Sequence, residues 1–300
     1  MMSIVTNWLA SAPDFAVPYA LAALGLIVCE RAGVLALGAE GLMLVGALAG
    51  VGAQLALGNS ALSLLAAGLA AGVVSILFAT MVIVLRINQV ISGLALVFFC
   101  QGLTSLLGTA FGWENRTFAG LGALALRQNA MVYLTLPVFF AVAFVLSHSG
   151  LGLRLRAVGE NPQAADAAGI SVLRYRFAAV LAGSAIAGIA GGYLSVVSTK
   201  LWVDSMTAGR GWIAVALVIF ARWSPWRALA GAVLFGCIEA LIPQLAAAGV
   251  RLPQYFVFMT PYAITLAVMI WAGLAASKGK LGGGGEPGAL GEPYVREERR

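Results

Sequence analysis

A chain of 300 residues that is 61% hydrophobic and only 10% charged, with a mean hydropathy of +0.95, is excluded from the ordinary soluble class, where about a quarter of residues are charged. Composition alone makes it an integral membrane protein. Its formal charge of +6 does not point to nucleic acid, because the basic residues are dispersed among short loops rather than gathered on one stripe.

Apolar runs delimited by charges and turn residues fall at 15–29, 33–57, 61–85, 90–108, 131–147, 177–197, 208–222, 227–247 and 255–275. The expected fold is therefore all-α, a polytopic bundle of about eight to ten transmembrane helices. A span needs about 20 residues, so 15–29 and 208–222 are short, and the second carries Arg210; each is open to being tilted, broken or re-entrant. No Lys or Arg precedes the first run, which reads as a mature span rather than a signal peptide. With an external N-terminus, nine crossings put thirteen of the eighteen Lys and Arg residues in the cytoplasm and leave Arg116, Arg127, Lys200, Arg210 and Arg251 outside. That bias sets the orientation as N-out, C-in. Cys29, Cys100 and Cys237 stand in apolar surroundings without metal or disulfide spacing.

Small residues recur four apart at Gly46 and Gly50, Gly68 and Gly72, and Gly188 and Gly192, a spacing that lets helices approach closely in lipid. Two carboxylates interrupt apolar runs, Glu40 in ALGAEGLML and Glu239 in FGCIEALIP. An ionisable group at membrane depth costs about 2.5–3.5 kcal/mol on insertion scales and needs a polar cavity or a partner. Both are candidates for a substrate pathway. The competing reading is a Glu that bonds a neighbouring helix, or, at Glu239, one that serves backbone groups freed by Pro243. A Gln at position 40 is expected to separate the two, surviving a hydrogen-bonding role and failing a proton-linked one. Asn88, Gln89 and Ser92, which open the fourth run, are further pathway candidates, although with Gln101 and Thr104 they do not form one continuous stripe.

The longest polar interruption between apolar runs is GLGLRLRAVGENPQAADAAGISVLRYR, residues 150–176. Its middle reads as a short helix from Asn161 to Gly169: Asn161 can cap it, Pro162 fits its first position, and Gly169 supplies a left-handed stop. Arg154, Arg156, Arg174 and Arg176 flank it and place it on the cytoplasmic side, against lipid phosphates. Residues 1–276 form one membrane domain containing this loop at 148–176, while 277–300, with GGGGEPG, is expected to be a disordered cytoplasmic tail. There is no GxxxxGK[ST] loop, so ATP binding by this chain is not expected. With His148 the single histidine, neither a metal hydrolase nor a nucleophilic triad can be assembled.

The segment RAVGENPQAADAAGI, Arg156 to Ile170, resembles the cytoplasmic loop of permease subunits in ABC importers of the branched-chain amino acid and simple-sugar group. Three further stretches agree in order: ERAGVLALGAEGLMLVGA (Glu30 to Ala47), NQVISGLALVFF (Asn88 to Phe99) and GRGWIAVALVIFARWSPWRALAGAVLFG (Gly209 to Gly236). They are similar in particular to permeases for nucleoside or simple-sugar uptake that work with a lipoprotein receptor. Two positions depart, since Ala36 and Val97 stand where such permeases often carry Asn.

The resemblance implies a transport subunit of the bacterial cytoplasmic membrane, without a cofactor or chemistry of its own. Its implied partners are a cytoplasmic ABC ATPase that binds the ATP, a second related permease and an external substrate-binding lipoprotein. The loop helix would seat in the ATPase, which makes Gly159, Glu160, Asn161, Pro162, Ala165, Asp166 and Gly169 the coupling residues. A nucleoside is the implied solute, with a simple sugar or branched-chain amino acid as the alternative. Two other classes compete: an ion-gradient-driven transporter using Glu40 or Glu239, and a lipid-acting membrane enzyme, for which no clustered polar site is evident.

Overall fold

The computed structural model describes residues 2–120 (side chains from Val5), 128–247, 249, 285–295 and six helical positions between Met259 and Leu274. The chain forms α1 (Met2–Glu30), α2 (Ala39–Leu57), α3 (Ser60–Ala79, with a wider turn over Thr80–Val84), α4 (Gln89–Ala110) and α5 (Ala130–His148). There follow α6 (Gly150–Glu160), α7 (Pro162–Ala167), α8 (Val172–Gly192, with a wider turn over Tyr193–Thr199), α9 (Arg210–Ala221) and α10 (Pro225–Ala247). Starts are set by side chains that accept from otherwise orphaned first-turn N–H groups: Asn59 for α3, Asn88 for α4, Asn129 for α5, Ser149 for α6 and Asn161 for α7.

Among the described residues seven helices are long and apolar enough to cross a membrane. The innermost, α1, packs on α8, α9 and α10, while α8 also packs on α2 and α3. Close approach explains the glycine spacing. A Cβ on Gly46 would lie 2.1 Å from the Gly188 carbonyl oxygen, so α2 and α8 meet backbone to backbone. The outer faces of α3, α4 and α5 present Leu69, Phe98, Phe99, Phe140 and Phe144. Such an apolar surface is suited to acyl chains rather than water.

Three expectations change, and the shortness expected of 208–222 holds. The run at 15–29 is not short, because α1 begins at residue 2 and carries Pro13 and Pro18 within it; Asp14 is held by Asn129 (2.7 Å) and Tyr193 (3.1 Å). The run at 208–222 yields only the 12 residues of α9, about 18 Å of helix and short of a crossing. The segment before Asn161 is a helix rather than a flank: alternating Leu, Gly and Arg in GLGLRLR disguises the period of α6. Lastly, the disorder expected for 277–300 does not hold at 285–295, where Pro287 and Ala289 are buried against the rest of the chain; main-chain hydrogen bonding, which glycine-rich composition does not reveal, holds it there. The run at 255–275 lies mostly outside the described residues.

Candidate functional site

Two stretches leave helical geometry between the packed helices, 31–38 between α1 and α2 and 200–209 between α8 and α9, the second running from an exposed Lys200 to the half-buried Gly209. Non-helical backbone at membrane depth is tolerated only where protein or a polar cavity satisfies it. The second stretch is also strained, with Lys200, Ser205 and Ala208 at φ of 57°, 53° and 47°. Left-handed non-glycine residues cost about 1–3 kcal/mol each and tend to cluster where function needs them.

Glu40, in the first turn of α2, joins the two stretches. Its Oε1 accepts from the Thr207 hydroxyl at 2.6 Å and the Gly209 N–H at 2.8 Å, and its Oε2 accepts from the Gly211 N–H at 2.6 Å. The carboxylate of one helix thus caps the beginning of another, where the aligned peptide dipoles favour negative charge. Every contact is an acceptance. A Gln here would turn an N–H donor towards donors, so that replacement fails for a structural reason and does not separate a hydrogen-bonding role from a proton-linked one.

Beside it, Arg210 forms an ion pair with Glu239 Oε1, and the Tyr19 hydroxyl donates to Glu239 Oε2 at 2.8 Å. Tyr19 lies eleven residues before the end of α1 and Glu239 fourteen beyond the start of α10. At 1.5 Å per residue these are about 16 and 21 Å from one face, near the middle of a hydrocarbon layer about 30 Å thick. Arg210 is therefore not at the outer surface, as charge counting places it, but at mid-depth, with 20% of its side chain accessible against 17% for Glu239. Arg210 and Tyr19 escape a reading of separate segments; the available signal is one cation and one carboxylate, each alone in an apolar run.

The polar residues opening α4 divide. Asn88 is exposed and spends its side chain on the Val90 and Ile91 N–H groups, so it caps α4. Gln89 accepts from the Leu35 N–H at 2.6 Å. Its Nε2 and the Ser92 hydroxyl are buried without a hydrogen-bond partner among the described residues. Further along α4, Gln101 donates to Ser205 at 3.3 Å. One helix therefore touches both broken stretches.

The loop residues assemble elsewhere, at the face where α1 ends. Asn161 accepts from the Ala164 N–H at 2.9 Å, Pro162 opens α7, and Gly169 has φ of 80°. Ala165 is buried with Val158, Ile170, Val172, Tyr175 and Tyr294, whereas Glu160 and Asn161 are exposed and Asp166 is half-buried. Gly159 lies hard against the α1–α2 connection: a Cβ there would be 2.2 Å from the Arg31 carbonyl oxygen. Arg31 in turn donates to the Trp223 carbonyl at 3.0 Å, and Trp223 Nε1 donates to Glu30 at 2.5 Å. Burial, followed by the like charge of Arg156, pulls the Arg31 guanidinium below its ordinary value, against Glu160. The end of α6 that leads into the short helix thus rests on the connection that runs on to Glu40, and Arg31 of that connection is tied to Trp223 beyond the far end of α9.

Comparison with known proteins agrees with this architecture. A family model described as the permease component of the branched-chain amino acid transport system matches residues 10–272. A Haloferax volcanii protein provisionally named a glucose ABC transporter permease is 38% identical over 99% of both chains. The guanosine ABC transporter permease of Bacillus subtilis is 31% identical over 95% of each. The nucleoside ABC transporter permease of Lactococcus lactis is 31% identical over 85% of this chain and 88% of its own.

Proposed function

The chain belongs to the branched-chain amino acid transport permease family, and from that premise we propose that it carries a neutral, polyhydroxylated solute, a nucleoside in the first place, through a pathway beside Glu40, Arg210 and Glu239. At the coarser level it is the membrane permease of an ABC transporter for a sugar or a nucleoside.

The observation that carries the reading is the charge balance at mid-depth. Glu239 is matched by Arg210 and Tyr19, and Glu40 by the start of α9. Among the described residues no charge at mid-depth is left over for the ammonium and carboxylate of an amino acid. Partly accessible donors and acceptors suit hydroxyl groups, which nucleosides and sugars share. The same pairing argues against a proton-linked carrier, since both carboxylates are committed to internal partners.

The chain works with a cytoplasmic ABC ATPase that binds ATP, a second related permease and an external substrate-binding lipoprotein. It lies in the cytoplasmic membrane with its N-terminus outside. The helix Pro162–Ala167 docks into the ATPase through Glu160, Asn161 and Asp166. Gly159 passes the movement to the 31–38 connection, and so to Glu40 and α9.

The test is uptake by proteoliposomes holding the assembled transporter and its receptor, with ATP inside and labelled guanosine, glucose or leucine outside. ATP-dependent guanosine uptake is expected. Uptake of glucose alone would reassign the solute, and uptake of leucine, or uptake by this chain alone under a pH gradient, would overturn the proposal.

A further inference from the structure

Residues 285–295 lie beyond the family-matched region, yet they are bound to the end of α6 that leads into the coupling helix, to the α1–α2 connection and to α8. The Ala289 N–H donates to the Gly159 carbonyl at 2.9 Å, and the Gly291 N–H donates to the Gly33 carbonyl at 3.4 Å. One short segment therefore bonds both α6 and the α1–α2 connection, across the place where Gly159 and Arg31 meet. Arg176 on α8 donates to the Glu292 carbonyl at 2.9 Å. The Tyr294 ring joins Val158, Ala165 and Val172 in the small apolar cluster that supports α7.

Arg176 is the informative residue. It is 3% exposed, and its Nε and one terminal nitrogen have no hydrogen-bond partner among the described residues. A buried cation is a poor choice for packing alone, since a well-fitted apolar side chain would be at least as stable. Among the described residues its one hydrogen bond goes to the segment lying over it. Beneath it, Gly33 has φ of 84°, which favours glycine, and a Cβ there would meet Arg176 Nη2 at 2.9 Å and the Ala289 carbonyl at 3.2 Å.

The segment does not cover the face of the coupling helix that a partner would use. Asn161, Gln163, Ala164 and Ala167 stay exposed, and an open cleft of about 540 Å³ separates Glu160–Gln163 from Gly288–Val295. This geometry is that of a brace behind the helix rather than a lid over it.

We propose that residues 285–295 act as a clasp that locks the coupling helix to the α1–α2 connection, with Arg176 as its positioning residue, so that movement imposed on α7 is delivered to the membrane helices instead of being absorbed by the loop. The proposal rests on the reading of 150–171 as the ATPase-coupling element. Without the clasp, α7 would keep its own caps and could still dock. What would be lost is the stiffness between the docked helix and Gly33.

The experiment uses the assembled transporter, comparing the full chain with one ending at residue 284, with Arg176→Lys and with Tyr294→Ala. Three quantities are measured: ATPase subunit retained on purification, ATP hydrolysed and solute moved per ATP. The clasp predicts ATPase retention close to that of the full chain, continued hydrolysis, and a fall of about tenfold in solute moved per ATP for the shortened chain, in the range of ordinary coupling energies. Smaller falls are expected for the two point variants. Transport per ATP unchanged in all three would overturn the proposal. Hydrogen exchange on the intact full-length complex covers the case in which the shortened chain does not fold: slow exchange at Ala289 and Gly291 is required, and exchange as fast as in free peptide would also overturn it. An ATPase absent from the full-length complex would instead overturn the coupling reading beneath it.

Discussion

The mid-membrane junction and the coupling helix solve opposite problems with similar parts. At the junction a helix start lies half-buried among other helices, and a carboxylate from another helix, Glu40, supplies the acceptor. At the surface a helix of six residues caps itself with Asn161 and borrows its support from Val158, Val172 and Tyr294. The first is an interaction between segments far apart in the chain; the second is mostly local. Losing a partner should therefore cost stability at the junction and transmission at the loop.

The comparison breaks most visibly at Arg210. Arg210→Ala leaves Glu239 without its cation, and a broken buried pair costs about 3 kcal/mol at the lower end of the usual range, appropriate to a pair a fifth exposed. Thermal unfolding in detergent should show a clear loss, together with abolished uptake. The joint replacement Arg210→Met with Glu239→Leu should recover much of the stability and none of the uptake. Recovery of uptake as well would mean that the pair only packs.

Glu40→Gln comes next. The amide opposes an N–H or hydroxyl donor, and a charge-assisted bond is worth about 1.5–3 kcal/mol, so the variant should be destabilised by about 2 kcal/mol by the same assay. A variant as stable as the parent would remove the capping role. At the loop, Gly159→Ala forces a Cβ into the Arg31 carbonyl and should cost about 1–3 kcal/mol as overpacking does, with uptake falling more than ATPase retention. Asn161→Ala should be smaller still, about 1 kcal/mol for a lost cap, visible as faster hydrogen exchange confined to residues 162–168.

What could be read from the sequence follows the same division. The ends of α7 were legible because Asn161, Pro162 and Gly169 act within a few residues of themselves. Glu40 and Glu239 were legible as anomalies, since a carboxylate in an apolar run demands an explanation, but their partners were not. Thr207 lies 167 positions from Glu40, and Arg210 lies 29 from Glu239; only the folded chain brings them together. Charge counting placed Arg210 outside because it treats every apolar run as a full crossing, and α9 is half of one. The helix α6 was hidden by its own alternation of Leu with Gly and Arg, and the capping role of Asn88 was not legible because a cap and a lining residue look alike in one dimension. The bond between Ala289 and Gly159 had no local signature at all.

The most direct measurement is purification of this chain from its native membrane in mild detergent, beside the variant carrying Glu160→Lys and Asp166→Lys, with identification of what stays bound. The coupling account predicts an ABC ATPase and a second permease with the parent chain, and a variant that inserts normally and retains the permease but loses the ATPase. Equal ATPase retention by both chains, or none with the parent, would contradict it.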